Sequence, residues 1–73
     1  MKIITIHTAY IQLDQFLKWA NITTNGGDIR FFIEEQQILV NNEICLVKRK
    51  KLYHGDIVTI KNLGSWKVLR SEI

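Results

Sequence analysis

The spacing of apolar residues changes halfway along this chain, and that change decides its fold class. Leu13, Phe16, Leu17 and Ala20 recur at i, i+3, i+4 and i+7, one stripe of a helix, with Asp14, Gln15 and Lys18 facing away. Asp14 falls in the first turn, where a carboxylate suits the positive end of the helix dipole, and Asn21 supplies a stop. A second stripe, Ile29, Phe32 and Ile33, predicts a shorter helix over Asp28 to Glu35, with Arg30, Glu34 and Glu35 on its polar side. From Gln37 the runs become short and β-branched: Ile38-Leu39-Val40, Glu43 to Val47, Ile57 to Ile60 and Ser65 to Leu69. Asn41-Asn42, Leu52 to Asp56 and Lys61 to Gly64 separate them as turns, asparagine and glycine being the residues that tolerate positive φ. Lys2 to His7 adds one strand ahead of the helices. The expected order is β-α-α-β-β-β-β, an α+β fold in which a two-helix pair packs on a small, mostly antiparallel sheet.

Between the helices lies Thr23-Thr24-Asn25-Gly26-Gly27, read as a polar turn in which adjacent glycines free the backbone and Asn25 caps the second helix. Two short helices joined this way pack as a pair, because neither buries its stripe alone.

Seventy-three residues leave room for a single domain, 1–73, with a thin core. Cys45 is the only cysteine, so no internal disulfide supports that core, and a reducing compartment is the simplest setting. No apolar run approaches the ~20 residues of a membrane span. Thr5 and His7 break the first apolar stretch too early for a signal peptide, and the expected location is cytoplasmic. Catalysis finds little support. Cys45 sits among Ile44, Leu46 and Val47 and reads as a buried apolar side chain. His7 and His54 belong to no metal-ligand spacing, and Gly26-Gly27 lacks the downstream Gly-Lys-Ser/Thr of a nucleotide-binding loop. No cofactor, no metal and no small-molecule substrate is expected.

Charge is distributed unevenly. The net charge is +3, but residues 1–43 carry −2 and residues 44–73 carry +5. Much of the excess is one run, Lys48-Arg49-Lys50-Lys51. Four adjacent like charges repel one another, and a small domain that keeps them together calls for an anionic partner.

Four segments then form a recognisable pattern: Leu13 to Lys18 with the glycine turn, Asp28 to Ile33, Val40-Asn41-Asn42-Glu43, and Lys51-Leu52-Tyr53-His54-Gly55-Asp56-Ile57-Val58. In order and spacing they resemble the small RNA-binding domain named after ribosomal small-subunit protein S-four, over roughly residues 11–60. The rest resembles the stand-alone YaaA-type subgroup of that family. Gln12 stands where an arginine often opens the family's first helix, and Asn41-Asn42 replaces an Asn-Gly turn.

The resemblance implies an alpha-L type motif in which the two helices and the basic loop border one RNA-binding surface. On it, Lys18 and Arg30 would reach phosphates from the polar sides of their helices, and Lys48, Arg49, Lys50 and Lys51 would supply the densest charge. The amides of Gly26 and Gly27 would form an anion site at a helix N-terminus, and the two arginines would give bidentate geometry. Arg30 has Glu34 one turn away as a competing partner. Trp19, Phe31, Tyr53 and Trp66 offer themselves as stacking platforms but are read as core or half-buried packing, a small domain needing its aromatics inside, with Tyr53 beside the basic run the best exception. The implied function is non-catalytic binding of structured RNA, ribosomal RNA or an assembling ribosomal particle above all. The rivals are an adaptor that docks an acidic protein, and DNA binding.

Overall fold

The computed structural model describes residues 1–23 and 26–71. The chain runs β1 (Lys2–Ile6), β2 (Tyr10–Gln12), α1 (Leu13–Trp19), α2 (Gly26–Glu34), β3 (Ile38–Val40), β4 (Glu43–Ile44), β5 (Lys51–Tyr53), β6 (Ile57–Ile60) and β7 (Gly64–Arg70). The α+β class and the expected order hold, with two three-residue strands, β2 and β5, added to them. Five strands form one sheet in the order β1-β7-β6-β3-β4, while β2 and β5 pair separately. Within the larger sheet only the β1–β7 pairing is parallel, which seats the first strand beside the last.

Alternation along these strands builds one apolar face. Val40, Val58 and Trp66 lie side by side across β3, β6 and β7, with Ile38 beside Ile60 in the next row. All five are buried, and Phe16 and Leu17 from α1 and Ile29 from α2 complete the same cluster. Each such side chain contributes on the order of 1.5–3 kcal/mol by leaving water. Thr59 and Ser65, on the opposite face, share a 3.0 Å hydroxyl hydrogen bond.

Both helices stop in the same way. Asn21 takes a φ of 59°, its N–H reaches the Lys18 carbonyl at 3.1 Å, and the Ile22 N–H reaches Leu17 at 2.9 Å. Gln36 repeats the pattern with a φ of 53°, its own N–H on Ile33 at 3.0 Å and Gln37 on Phe32 at 2.9 Å. These paired bonds satisfy carbonyls that a helix end otherwise leaves orphaned. The start of α2 differs from expectation. Gly26 and Gly27 are the first two residues of the helix, not the turn before it, so the helical first turn absorbs them and no left-handed backbone is involved. Thr24 and the proposed cap Asn25 lie outside the described residues.

The two turns of the strand half are tied together. Asn41 and Asn42, with φ of 52° and 70°, make the two-residue hairpin turn whose twist matches its flanking strands. The Asn41 side chain then leaves the hairpin: its Nδ2 donates to Asp56 Oδ1 at 3.1 Å, and its Oδ1 accepts from the Ile57 N–H at 2.9 Å. Asp56 Oδ2 accepts the Tyr53 N–H at 2.8 Å and closes the next turn. In that turn Gly55 supplies the φ of 91° that residues with side chains rarely adopt. The turn is also stitched to β7, by Gly55 N–H to the Val68 carbonyl at 2.7 Å and Val68 N–H to the Asp56 carbonyl at 2.9 Å.

Asp56→Ala removes both carboxylate acceptors and should lower the unfolding free energy by about 1–3 kcal/mol, with Asp56→Asn losing less because one oxygen remains. Urea unfolding followed by circular dichroism measures this. A midpoint unchanged in Asp56→Ala would show that the two turns are held by other contacts.

Candidate nucleic-acid interface

The second, smaller sheet decides where the basic run sits. Ile11 and Leu52 are directly paired and buried, so alternation places Tyr10 and Gln12 on β2, and Lys51 and Tyr53 on β5, toward the outer side. Tyr10 faces Tyr53 across the pair, their ring centroids 5.9 Å apart at 50°. Lys51 Nζ lies 4.8 Å from the Tyr10 ring centroid, a cation–π contact. One residue earlier, the Lys50 carbonyl accepts the Leu13 N–H at 2.8 Å. That bond satisfies a first-turn donor of α1 that Gln12, the N-cap, leaves without a side-chain partner. Asp14 Oδ1 accepts the Gln15 N–H at 3.0 Å in the same turn. Lys48 and Arg49 form a turn closed by the Lys50 N–H on the Val47 carbonyl at 3.3 Å. The backbone of the run is thus closed into a turn at Lys48-Arg49 and tied to α1 at Lys50 and to β2 at Lys51. Its four side chains are exposed and, among the described residues, form no ion pair.

The structure therefore brings Lys48, Arg49, Lys50, Lys51 and Tyr53 together and adds Tyr10, which sequence reasoning missed. Lys18 is exposed in the last turn of α1. Arg30 is exposed on α2, its Nε 3.7 Å from Glu34 Oε1, the pairing that the i,i+4 spacing anticipated. Gly26 and Gly27 contribute backbone at the start of α2. Lys61 lies in the turn after β6, and Lys67 and Arg70 lie on β7, so they are not part of the basic loop.

Two aromatic assignments change, those of Trp19 and Phe31, while the exposure of Tyr53 accords with its place as the exception. Trp66 is buried, as a core residue should be, but Trp19 is 55% exposed, Phe31 57% and Tyr53 50%. The reason lies in the helical period itself. Trp19 is off the Leu13-Phe16-Leu17-Ala20 stripe and Phe31 off the Ile29-Phe32-Ile33 stripe, so the helix geometry that buries their neighbours turns these two rings outward. The expectation that a small core claims every aromatic fails against that geometry. Cys45 is buried, its Sγ 3.5 Å from the Val47 carbonyl oxygen. His54 Nδ1 accepts the Arg70 N–H at 2.9 Å, a structural bond between the β5–β6 turn and β7. No group of three His, Cys, Asp or Glu side chains that could hold a metal occurs among the described residues.

A family model described as the S4 domain matches residues 4–69. The chain belongs to the S4 domain family. Over 66 residues this S4 domain is 42% identical to a probable ribosome maturation protein, RlbA, of Bacillus subtilis, the match covering 90% of the chain and 93% of that relative. It is 26% identical over 70 residues to the ribosomal large subunit pseudouridine synthase D of Blochmanniella floridana. That second match spans 96% of this chain but 22% of the synthase, so the likeness is to one part of a larger enzyme. Two of the segments that carried the family pattern, Val40 to Glu43 and Gly55-Asp56, prove to be the bonded turns described above, and serve the frame of the S4 domain. No helix among the described residues is long and apolar enough to cross a membrane.

Burial of Cys45 yields a direct test. Its thiol should react with iodoacetamide only as the chain opens, far more slowly in native buffer than in denaturant, and Cys45→Ala should keep full RNA affinity. Equal rates in the two conditions would place the thiol at the surface.

Proposed function

We infer that this S4 domain, working as one domain over residues 1–73, binds structured RNA without catalysis, through phosphate contacts and RNA shape more than base reading. The observation that carries this is the run Lys48 to Lys51, four exposed cations that form no ion pair among the described residues, on a backbone tied to α1 at Lys50 and to β2 at Lys51. Cations gathered on a turn and the start of the strand after it suit a phosphate backbone. Lysines act as point charges and Arg49 adds a bidentate fork. Tyr53 offers a ring beside them. Lys18 and Arg30 extend the contact from the helices. An exposed i,i+4 ion pair is worth only about 0.3–0.5 kcal/mol, so Arg30 can exchange Glu34 for a phosphate at little cost. The first-turn amides of α2 at Gly26 and Gly27 would serve as a further anion site.

Similarity to a relative named for ribosome maturation favours ribosomal RNA, or an assembling ribosomal particle, as the target, and the cytoplasm as the place of action. Similarity to the synthase extends to too little of that enzyme to carry its chemistry across.

Affinity for structured RNA should fall steeply with salt. Four to six neutralised phosphates correspond to a log–log slope of roughly −3 to −5 with the duplex-DNA coefficient. Replacing Arg49 and Lys50 with alanine should reduce the slope by about one to two units while the melting temperature stays nearly constant. Filter binding across a salt series measures both. A labelled RNA should be displaced far better by structured RNA than by duplex DNA of equal length or an acidic polypeptide of equal charge. Equal displacement by all three reduces the reading to non-specific attraction, and no binding near physiological salt ends it.

A further inference from the structure

A cleft of about 310 Å³ opens between the end of β1, strand β2 and helix α1, directly beside the basic loop. Its floor is Ile6 and Ile11, both buried, and the exposed rings of Tyr10 and Trp19 line it. The polar side chains lining it are His7, Thr8, Gln12 and Gln15. Among the described residues His7, Gln12 and Gln15 make no side-chain hydrogen bond, so their donors and acceptors remain available. Thr8 is committed to the frame instead: its Oγ1 donates to the Tyr10 carbonyl at 2.7 Å and holds the bend that leads from β1 into β2. Among the described residues no acidic side chain lines the cleft. The ammonium of Lys51 sits over the Tyr10 ring, 4.8 Å from its centroid.

We propose that this cleft receives one unpaired nucleobase of the bound RNA, stacked against Trp19 and Tyr10, while Lys51 holds a phosphate at its edge. The proposal rests on the RNA-binding reading and adds a base-recognition site to a surface otherwise described by phosphate contacts. Three features select this occupant. A flat base needs exposed aromatic faces, and a tryptophan that the helix period turns outward, 55% exposed, supplies one. Base edges need uncommitted donors and acceptors, which His7, Gln12 and Gln15 provide together. The nucleotide's phosphate needs a cation next to the stacked ring, and Lys51 stands there. In RNA helices the bases are inaccessible in the deep groove, so the base that enters must come from a bulge, loop or strand end.

The test compares two RNA duplexes of equal length, one fully paired and one with a single bulged nucleotide. The chain should bind the bulged duplex about tenfold more tightly. Trp19→Ala should erase that preference while leaving affinity for the paired duplex and the salt slope unchanged, and Trp19→Phe, which keeps a ring, should retain most of it. Trp19 and Trp66 are the two tryptophans and Trp66 is buried, so quenching of emission by the bulged duplex reports on Trp19 and should vanish in Trp19→Ala. Equal affinity of the wild-type chain for both duplexes, with a normal salt slope, overturns the cleft assignment alone, as does a preference that survives in Trp19→Ala. Binding to neither duplex removes the RNA reading, and the cleft assignment with it. Quenching of Trp19 by an acidic polypeptide but by neither RNA would put a protein in the cleft and overturn the proposal.

Discussion

The hydrogen bonds of Asn41 and Asp56 hold this small chain in its working shape. One carboxylate accepts from the Asn41 side chain and from the Tyr53 amide, and the same asparagine accepts from Ile57. Three strands are fixed by that exchange: Asn41 directly follows β3, β5 ends at Tyr53 and β6 begins at Ile57. In a domain whose total stability is only several kcal/mol, a cluster of charge-assisted bonds is a large share. It also takes the place of a disulfide, which a chain with a single cysteine cannot form.

The proposed RNA-binding surface inherits its order from this node. Fixing the end of β5 fixes its pairing with β2, and that pairing carries the Lys50 carbonyl to the first turn of α1. The basic loop is thus a bridge between the strand half and the helix half. Repulsion among Lys48 to Lys51 acts on a backbone with little freedom to spread, so the field of four cations stays concentrated. An approaching polyanion relieves that repulsion and releases its own counterions. The same frame holds Tyr10 and Tyr53 beside the cations, which gives the surface flat apolar contacts as well as charge.

Much of this was legible in the sequence wherever the signal was local. The apolar stripes gave both helices, and Asn21 gave the end of the first through its tolerance of positive φ. Asn41-Asn42 and Gly55-Asp56 announced their turns for the same reason. What was not legible depended on partners distant in sequence. β2 and β5 are three residues each, too short for alternation to show, and nothing local to Tyr10 indicates Tyr53 across from it. The alternation of Tyr10, Ile11 and Gln12, matched by Lys51, Leu52 and Tyr53, was the one signal available. Glycine was ambiguous in another way: Gly26-Gly27 reads as a turn, yet helical backbone is equally open to it, and the helix claimed both residues. The exposure of Trp19 and Phe31 was written in their positions off the stripes, but an argument from the small size of the domain overrode the argument from period. The basic run was plain as charge, and its attachment to α1 was not.

The central claim is that the basic loop and the small β2–β5 sheet form one RNA-binding face, opposite in role to the outer face of the larger sheet. Amide chemical-shift mapping with a structured RNA tests it most directly. The account predicts shifts concentrated at Lys48 to Tyr53 and Tyr10 to Gln12, with Leu39, Thr59 and Ser65 unmoved. Shifts centred on Leu39, Thr59 and Ser65, with the loop amides unchanged, would contradict it.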